Sequence, residues 1–172
     1  NSFKPLMPKS WKTLKEWLST SDIEKCLNQY NRLHSNFKFM GAVPIDFQDC
    51  SVSRELCSFD LDEYYNNGIN KVAIVFNTDT SGGPGEHWIA LYIDVDGNNL
   101  DSQPGIYFFD SFASKPMKEV KNLIEKIKDQ GSDLNKDFVV TVNDKKLQKN
   151  TFSCGFFCMH FLEQMIREIQ FS

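Results

Sequence analysis

The chain has 172 residues, enough for a substantial hydrophobic core, and we expect residues 1–172 to form a single domain. Its formal net charge of −4 argues against a general nucleic-acid binder, and no apolar run approaches the ~20 residues of a membrane helix. The five cysteines are odd in number, which favours free thiols in a reducing compartment over a disulfide framework. Neither CxxC nor HxxxH spacing occurs, so we expect no zinc site.

The first predicted elements are a helix and an extended segment. Ser21 and Glu24 have the spacing of a capping box, and apolar residues then recur at helical intervals, so a helix is expected with Ser21 as its N-cap. Residues 37–47 indicate an extended segment, which Gly41 and Pro44 interrupt.

Short apolar runs predict the strands, and apolar stripes predict two further helices. The expected strands are 72–76, 87–94, 106–110 and 138–142, and the expected helices are 116–131, closed by Gly131, and a last helix that begins near Cys154. Strands in the middle of the chain and helices at both ends indicate an α+β domain with one central sheet.

Cys154 is the first candidate for a reactive side chain. It follows the polar segment 143–153 and stands at the predicted start of a helix, where backbone N–H groups and the helix dipole favour a negative charge. A thiol attacks only as the thiolate, so such a position suits a nucleophile. Gly155 leaves the approach to the sulfur free. Cysteine is also among the most buried residue types, and a structural core thiol remains the alternative.

His87 is the candidate base. Of the three histidines, His34 follows a helix end, and His160 lies six residues after Cys154, about 240° around the helix from it. His87 begins a strand directly after the glycine-rich segment 77–86. A base at a strand edge that faces a thiol at a helix start is the arrangement that nucleophilic catalysis requires.

Asp110 is the candidate for the group that orients the base. Asp94 lies about 20 Å from His87 along an extended strand, and Asp96 and Asp101 belong to a polar turn where we expect them to be solvated. Asp110 ends an apolar strand, where a carboxylate either has a functional role or is simply the first residue of a turn.

Gln148 is the candidate donor to an oxyanion. It lies six residues before Cys154, and its neutral amide could join the backbone N–H of Cys154 in binding the developing charge. An ordinary loop glutamine is the alternative.

Three segments in this order resemble one clan of cysteine proteases, which includes the SUMO-deconjugating proteases, the adenovirus maturation protease adenain and related proteases of large DNA viruses. The segments are HWIALYID (87–94), YFFDS (107–111) and QKNTFSCGFFC (148–158). The resemblance implies a mixed central sheet with the catalytic cysteine at the start of the last helix. It implies that His87 is the general base, Asp110 its orienting acid, Cys154 the nucleophile and Gln148 the oxyanion donor.

Two tryptophans complete the resemblance. Trp88 resembles the tryptophan that forms one wall of a narrow slot for glycine in this clan. The segment EWLSTSDI resembles the start of SUMO proteases, which would make Trp17 the opposite wall, although two extra residues separate Trp17 from Asp22. A core anchor is the alternative for Trp17.

The sequence therefore predicts a monomeric thiol endopeptidase that cleaves after glycine, at Gly-Gly or Gly-x-Gly sites, with no metal or organic cofactor. A viral polyprotein or capsid precursor is the expected substrate, and host cytoplasm or virion the expected location. No membrane partner is expected, and a nucleic-acid or peptide activator is left open without being indicated. An isopeptidase for SUMO or ubiquitin-like modifiers and a catalytically inactive binding module are the alternatives. The chain begins with Asn1 rather than Met and shows no secretory signal peptide, which is consistent with an upstream segment.

Overall fold

The computed structural model describes residues 18–99, 103–150 and 153–168, so Trp17 and Asp101 lie outside the described residues. The described elements, in chain order, are α1 (Thr20–Leu33), β1 (Phe37–Pro44), α2 (Arg54–Cys57), α3 (Leu61–Asn66), β2 (Lys71–Asn77), β3 (Trp88–Asp94), β4 (Gly105–Phe109), α4 (Lys118–Asp133), β5 (Val139–Val142) and α5 (Cys154–Ile166). Within these ranges, no helix combines the length and the apolar character needed to cross a membrane.

The five strands form one mixed sheet in the order β1-β2-β3-β4-β5. The outer pairs, β1 with β2 and β4 with β5, are parallel, whereas the central pairs are antiparallel. β2 shows how both faces are buried: Val72, Ile74 and Phe76 enter one apolar cluster, and Ala73 and Val75 enter the other. Alternating side chains of one strand therefore build two cores.

The two cores belong to two helical layers. Helices α1 and α5 cover one face of the sheet, and α2, α3 and α4 cover the other. Helix α5 packs on β3 and places Cys154 above the start of that strand. The predicted α+β class with a central mixed sheet and Cys154 at the start of the C-terminal helix is confirmed.

The start of α1 differs from the prediction. The N-cap is Ser19, whose Oγ accepts a hydrogen bond from the Asp22 N–H (3.1 Å) while the Asp22 carboxylate accepts one from the Ser19 N–H (2.9 Å). Glu24, assigned to the capping box from sequence, instead accepts a hydrogen bond from Ala42 N–H in β1 (3.3 Å). Two overlapping capping boxes exist in the sequence, and contact with the sheet selects the first.

The end of α4 also differs. The helix continues to Asp133, and Gly131 is buried inside it. A Cβ atom at Gly131 would lie 2.5 Å from the ring of Phe138, so the glycine permits a close approach between the helix and the segment that enters β5. Strands β2 to β5 begin and end within a residue of their predicted positions, whereas β1 ends at Pro44, three residues before the end of the predicted extended segment.

Two of the five cysteines are bonded, which corrects the expectation of free thiols throughout. Cys50 and Cys57 form a disulfide with their Cα atoms 5.3 Å apart. The short helix α2, capped by Ser53, returns the chain and brings Cys57 back to Cys50. Cys26, Cys154 and Cys158 are free and buried.

The two possible capping boxes make a direct test of the α1 start. Replacing Ser19 by Ala should lower the free energy of unfolding by about 1 kcal/mol, because the Asp22 N–H loses its acceptor, whereas the backbone N–H at position 19 can still donate to the Asp22 carboxylate. Ser21→Ala is the matched control and should change it by only a few tenths of a kcal/mol, because Ser21 lies inside the first turn. Urea unfolding of both variants measures the difference. A larger loss of stability in Ser21→Ala than in Ser19→Ala would show that Ser21 is the N-cap, as the sequence predicted.

Candidate active site

His87 and Asp110 meet because β3 and β4 are antiparallel neighbours. The register pairs Ala90 with Phe109, so the start of β3 and the end of β4 lie at the same edge of the sheet. His87 directly precedes β3, and Asp110 directly follows β4. The Nε2 atom of His87 lies 2.7 Å from Oδ1 of Asp110, and 15% of the His87 side chain is exposed.

Cys154 reaches the same place from the helical layer. The first turn of α5 lies over β3, where the backbone N–H of Trp88 donates to the Cys154 sulfur at 3.5 Å. The thiol is also near enough to the ring of His87 to contribute to the raised pKa of that histidine. Since Nε2 of His87 faces Asp110, Nδ1 is the ring nitrogen left for Cys154. The structure thus brings Cys154, His87 and Asp110 together, and their catalytic roles stay predictions.

The environment of His87 favours its protonated form. Burial acts against the charged ring, but hydrogen bonds and charge interactions with Asp110 and Cys154 outweigh it and raise the pKa of His87 to about 9. At neutral pH the ring is therefore an imidazolium. An adjacent imidazolium stabilises a thiolate, which is the reactive form of cysteine.

Phe112 covers one face of the imidazole. The two rings are stacked with their centroids 4.9 Å apart, and the Phe112 N–H donates to Oδ1 of Asp110 at 2.9 Å. Lys146 Nζ lies 5.2 Å from the centroid of the Phe112 ring. The same carboxylate oxygen therefore holds both His87 and the start of the turn that supports it.

The glycine-rich segment before His87 is tethered at several points. Asp46 accepts hydrogen bonds from the backbone N–H and the hydroxyl of Ser81, at 2.8 and 2.6 Å. Asn77 accepts the Glu86 N–H at 3.0 Å, and the Thr78 N–H donates to the His87 carbonyl at 2.9 Å. These bonds fix the backbone that carries His87.

Gln148 is fully buried in the segment that leads to Cys154. Its Oε1 accepts a hydrogen bond from the hydroxyl of Ser111, and its Nε2 donates to the carbonyl of Asn150 at 2.5 Å. The Ser111 carbonyl accepts the N–H groups of Leu147 and Gln148 at 2.9 and 3.0 Å. Ser111, which sequence reasoning treated only as a turn residue, therefore holds the Gln148 amide. The second N–H of that amide is the one that could serve an oxyanion, and this role stays a prediction.

Trp88 is more enclosed than an open substrate wall would be. Only 3% of it is exposed, and its indole N–H donates to the Leu18 carbonyl at 2.9 Å. A Cβ atom on Gly155 would lie 3.3 Å from Trp88 and 3.2 Å from Leu18, so a larger residue here would require one of these side chains to shift by a few tenths of an ångström. Trp17, the other proposed wall, is outside the described residues. The slot stays a prediction for both tryptophans.

The other acidic candidates are used elsewhere. Asp94 is buried and accepts the N–H groups of Gly97 and Asn99. Asp96, expected to be solvated, is partly buried and binds Tyr65, Asn70 and Lys136 through its carboxylate. The described residues contain no group of three or more His, Cys, Asp or Glu placed to hold a metal ion.

Comparison with solved structures identifies the fold. The pS273R protease of African swine fever virus matches 90% of this chain with a TM-score of 0.77 at 18% identity, and the chain covers 59% of that protein. The SUMO protease Ulp1 matches 90% of the chain with a TM-score of 0.61 at 14% identity, and the chain covers 69% of it. The fold is that of the SUMO-protease-like cysteine proteases, and the resemblance found in the sequence is confirmed.

Sequence comparison then places the chain in a family. The family described as YopJ serine/threonine acetyltransferase matches residues 12–171, and the chain belongs to it. The R355 protein of Acanthamoeba polyphaga mimivirus, whose name provisionally assigns it to the thiol proteases, is 35% identical over 152 residues, 88% of this chain. The S273R cysteine protease of African swine fever virus is 25% identical over 104 residues, 60% of this chain. The chain spans only 48% and 37% of the lengths of these two relatives.

The raised pKa of His87 makes a prediction about stability. Its folded-state value of about 9 lies above the ordinary value of ~6.5, so its contribution is complete below pH 6.5 and is lost as the pH rises through 9. The free energy of unfolding, measured with urea at a series of pH values, should fall over this interval more steeply than in His87→Gln.

Comparing wild type with His87→Gln removes the contribution of other groups that titrate at alkaline pH. Burial raises the pKa values of the Cys26 and Cys158 thiols, which adds an alkaline loss of stability to both proteins. Equal slopes in wild type and His87→Gln would show that His87 is not held as an imidazolium.

Proposed function

We propose that this chain is a cysteine endopeptidase of the SUMO-protease-like class that cleaves a viral precursor protein on the carboxyl side of glycine. The observation that carries the proposal is the position of His87: its Nε2 lies 2.7 Å from Oδ1 of Asp110, and the N–H of the next residue, Trp88, donates to the Cys154 sulfur at 3.5 Å. The viral origin of the two sequence relatives, and their names as thiol and cysteine proteases, support the same choice.

The proposed reaction has two stages. The Cys154 thiolate attacks the carbonyl carbon of the scissile bond, while the Cys154 N–H and the Gln148 amide bind the oxyanion. The His87 imidazolium gives its proton to the leaving amine, which leaves a thioester on Cys154. Neutral His87 then removes a proton from water, the hydroxide attacks the thioester, and the carboxylic acid product departs as the thiolate is restored.

The preference for glycine rests on lack of space beside Cys154. A Cβ atom on Gly155 would lie 3.3 Å from Trp88 and 3.2 Å from Leu18, which shows how little free space surrounds the indole. In the proposed complex, the indole and Leu18 leave room before the scissile bond only for a residue without a side chain. Selection by exclusion needs no attractive contact with the glycine itself.

Acyl transfer to a hydroxyl is a second candidate, because the family model that matches residues 12–171 is described as a serine/threonine acetyltransferase. Such a transfer would also use a thioester on Cys154. The two reactions differ in the acyl donor, which is a peptide in the protease and acetyl-CoA in the transferase. They differ also in the second nucleophile, which is water in the protease and a serine or threonine hydroxyl in the transferase. Removal of a SUMO-like modifier, suggested by the likeness to Ulp1, is a hydrolysis with a folded substrate.

Cys154 and Cys158 lie one helical turn apart, and replacing each in turn distinguishes the proposed catalytic role from a packing role. Cys154→Ala should abolish peptide hydrolysis in an assay with a Gly-Gly peptide, whereas Cys158→Ala should retain most activity. Cys158 is fully buried one turn further along α5, and its replacement should cost about 1–3 kcal/mol of stability through lost packing. Thermal unfolding run beside the assay shows that both variants are folded. Loss of activity in Cys158→Ala with activity retained in Cys154→Ala would refute the assignment of the nucleophile.

A substrate panel separates the candidate functions. The purified protein is offered Gly-Gly peptides, the same peptides with Ala before the scissile bond, ubiquitin-like fusions, and acetyl-CoA with a serine/threonine peptide. We expect hydrolysis of the glycine peptides, with kcat/KM at least about tenfold lower for the alanine peptides. Mass spectrometry identifies the products, with Cys154→Ala as the blank. Acetylated peptide without any hydrolysis would replace the protease proposal by the transferase.

A further inference from the structure

Asn143 makes two hydrogen bonds to the backbone of Asp110. Its Oδ1 accepts the Asp110 N–H at 2.9 Å, and its Nδ2 donates to the Asp110 carbonyl at 2.7 Å. Asn143 is the first residue after β5, whose parallel pairing with β4 reaches Phe108 opposite Val142. The side-chain amide therefore takes the place of a strand peptide and extends the hydrogen bonding of the ladder from Phe108 to Asp110, the residue after β4.

The two bonded groups belong to the two peptide planes on either side of the Asp110 Cα atom. Holding both planes restricts φ and ψ of Asp110, and these angles set the direction in which its side chain leaves the backbone. Directly afterwards the chain turns, with the Ala113 N–H donating to the Asp110 carbonyl at 2.8 Å and Ala113 at φ 59°. Asp110 thus stands where regular pairing ends, and Asn143 supplies the last pair.

We propose that Asn143 is a positioning residue, which aims the Asp110 carboxylate at His87 by holding the Asp110 backbone in the extension of the β4–β5 ladder. This inference rests on the proposed function, because it takes Asp110 and His87 as members of the catalytic site. Without Asn143 the Asp110 carboxylate would still be able to accept a hydrogen bond, but the backbone would no longer orient it towards His87. Displacement of a catalytic group by about 1 Å lowers turnover by about a hundredfold.

The effect on His87 is measurable without a substrate. The charged or titratable groups that face the imidazole are Asp110 from the end of β4, Cys154 from α5 and Lys146, across the Phe112 ring. Of these, only Asp110 is held by Asn143. Turning its carboxylate away removes stabilisation of the imidazolium, so the protonation midpoint of His87 should fall from about 9 towards ~6.5.

Gln130 is a matched control for the structural contribution of such an amide. Its Oε1 accepts the Leu61 N–H at 2.8 Å, and its Nε2 donates to the Phe59 carbonyl at 2.7 Å. Like Asn143 it is half-buried and bridges two backbone groups, but those groups lie near the start of α3, on the opposite side of the sheet from α5. Gln130→Ala and Asn143→Ala should therefore lose similar amounts of stability.

The test compares Asn143→Ala, Asn143→Gln and Gln130→Ala in the full chain. Nuclear magnetic resonance follows the His87 ring through a pH titration, with His87→Gln used to assign its signal, and peptide assays give kcat and KM. In Asn143→Ala we expect kcat to fall at least about tenfold with KM little changed, and the His87 midpoint to fall by about one unit or more. Asn143→Gln should lie between Asn143→Ala and wild type, and Gln130→Ala should match wild type in both readouts.

A wild-type His87 midpoint and wild-type kcat in Asn143→Ala would overturn the proposal and leave Asn143 a structural residue. If Asn143→Ala does not fold, Asn143→Gln decides, because a displaced amide should still lower kcat and the midpoint, and wild-type values would overturn the proposal. If no peptide is hydrolysed even by the wild type, the proposed function fails, while the titration still decides whether Asn143 directs Asp110 to His87.

Discussion

The contact between His87 and Asp110 is the interaction on which the rest of the site depends. It forms because two antiparallel strands, β3 and β4, begin and end at one edge of the sheet, so that the residue before one strand meets the residue after the other. The surrounding contacts keep this edge in place: Ser111 anchors the segment before Cys154, and Asp46 tethers the segment before His87. The first turn of α5 lies over β3, and this position brings the Cys154 sulfur close to the imidazole of His87.

At this edge of the sheet, burial disfavours the protonated His87 ring, whereas the charge of Asp110 favours it. This opposition explains why several hydrogen bonds hold Asp110 in place. A mostly buried imidazolium is costly unless an anion is held close to it. The Asp110 carboxylate is shared by His87 and the Phe112 N–H, and its backbone is held by Asn143. In the proposed function, such a site would activate a thiol without specifying the group that finally accepts the acyl chain. The proposal is compatible with a family described as an acetyltransferase and with relatives of this chain that are named as proteases.

Local chemistry in the sequence was sufficient to select His87, Asp110 and Cys154, because each stands at a junction between a polar segment and an apolar element. It was insufficient where two local solutions compete or where a partner comes from afar. The sequence around α1 contains two capping boxes, and the choice of Ser19 follows from the bond of Glu24 to β1. Asp96 lies in a polar turn but is bound by Lys136, a residue forty positions away. The Cys50–Cys57 disulfide likewise depends on the return of the chain through α2.

The sequence by itself determined the three longer helices, the strands, the α+β class and the order of His87, Asp110 and Cys154, because hydrophobic periodicity and turn residues act over a few positions along the chain. The short helices α2 and α3 were not predicted. Only the tertiary structure decided which groups hold those side chains. Ser111 and Asn143 look like ordinary turn and loop residues in the sequence, since their partners Gln148 and Asp110 are 37 and 33 residues away. Such bonds exist only after the strands have paired in register, and the register is set by the burial of both faces of the sheet.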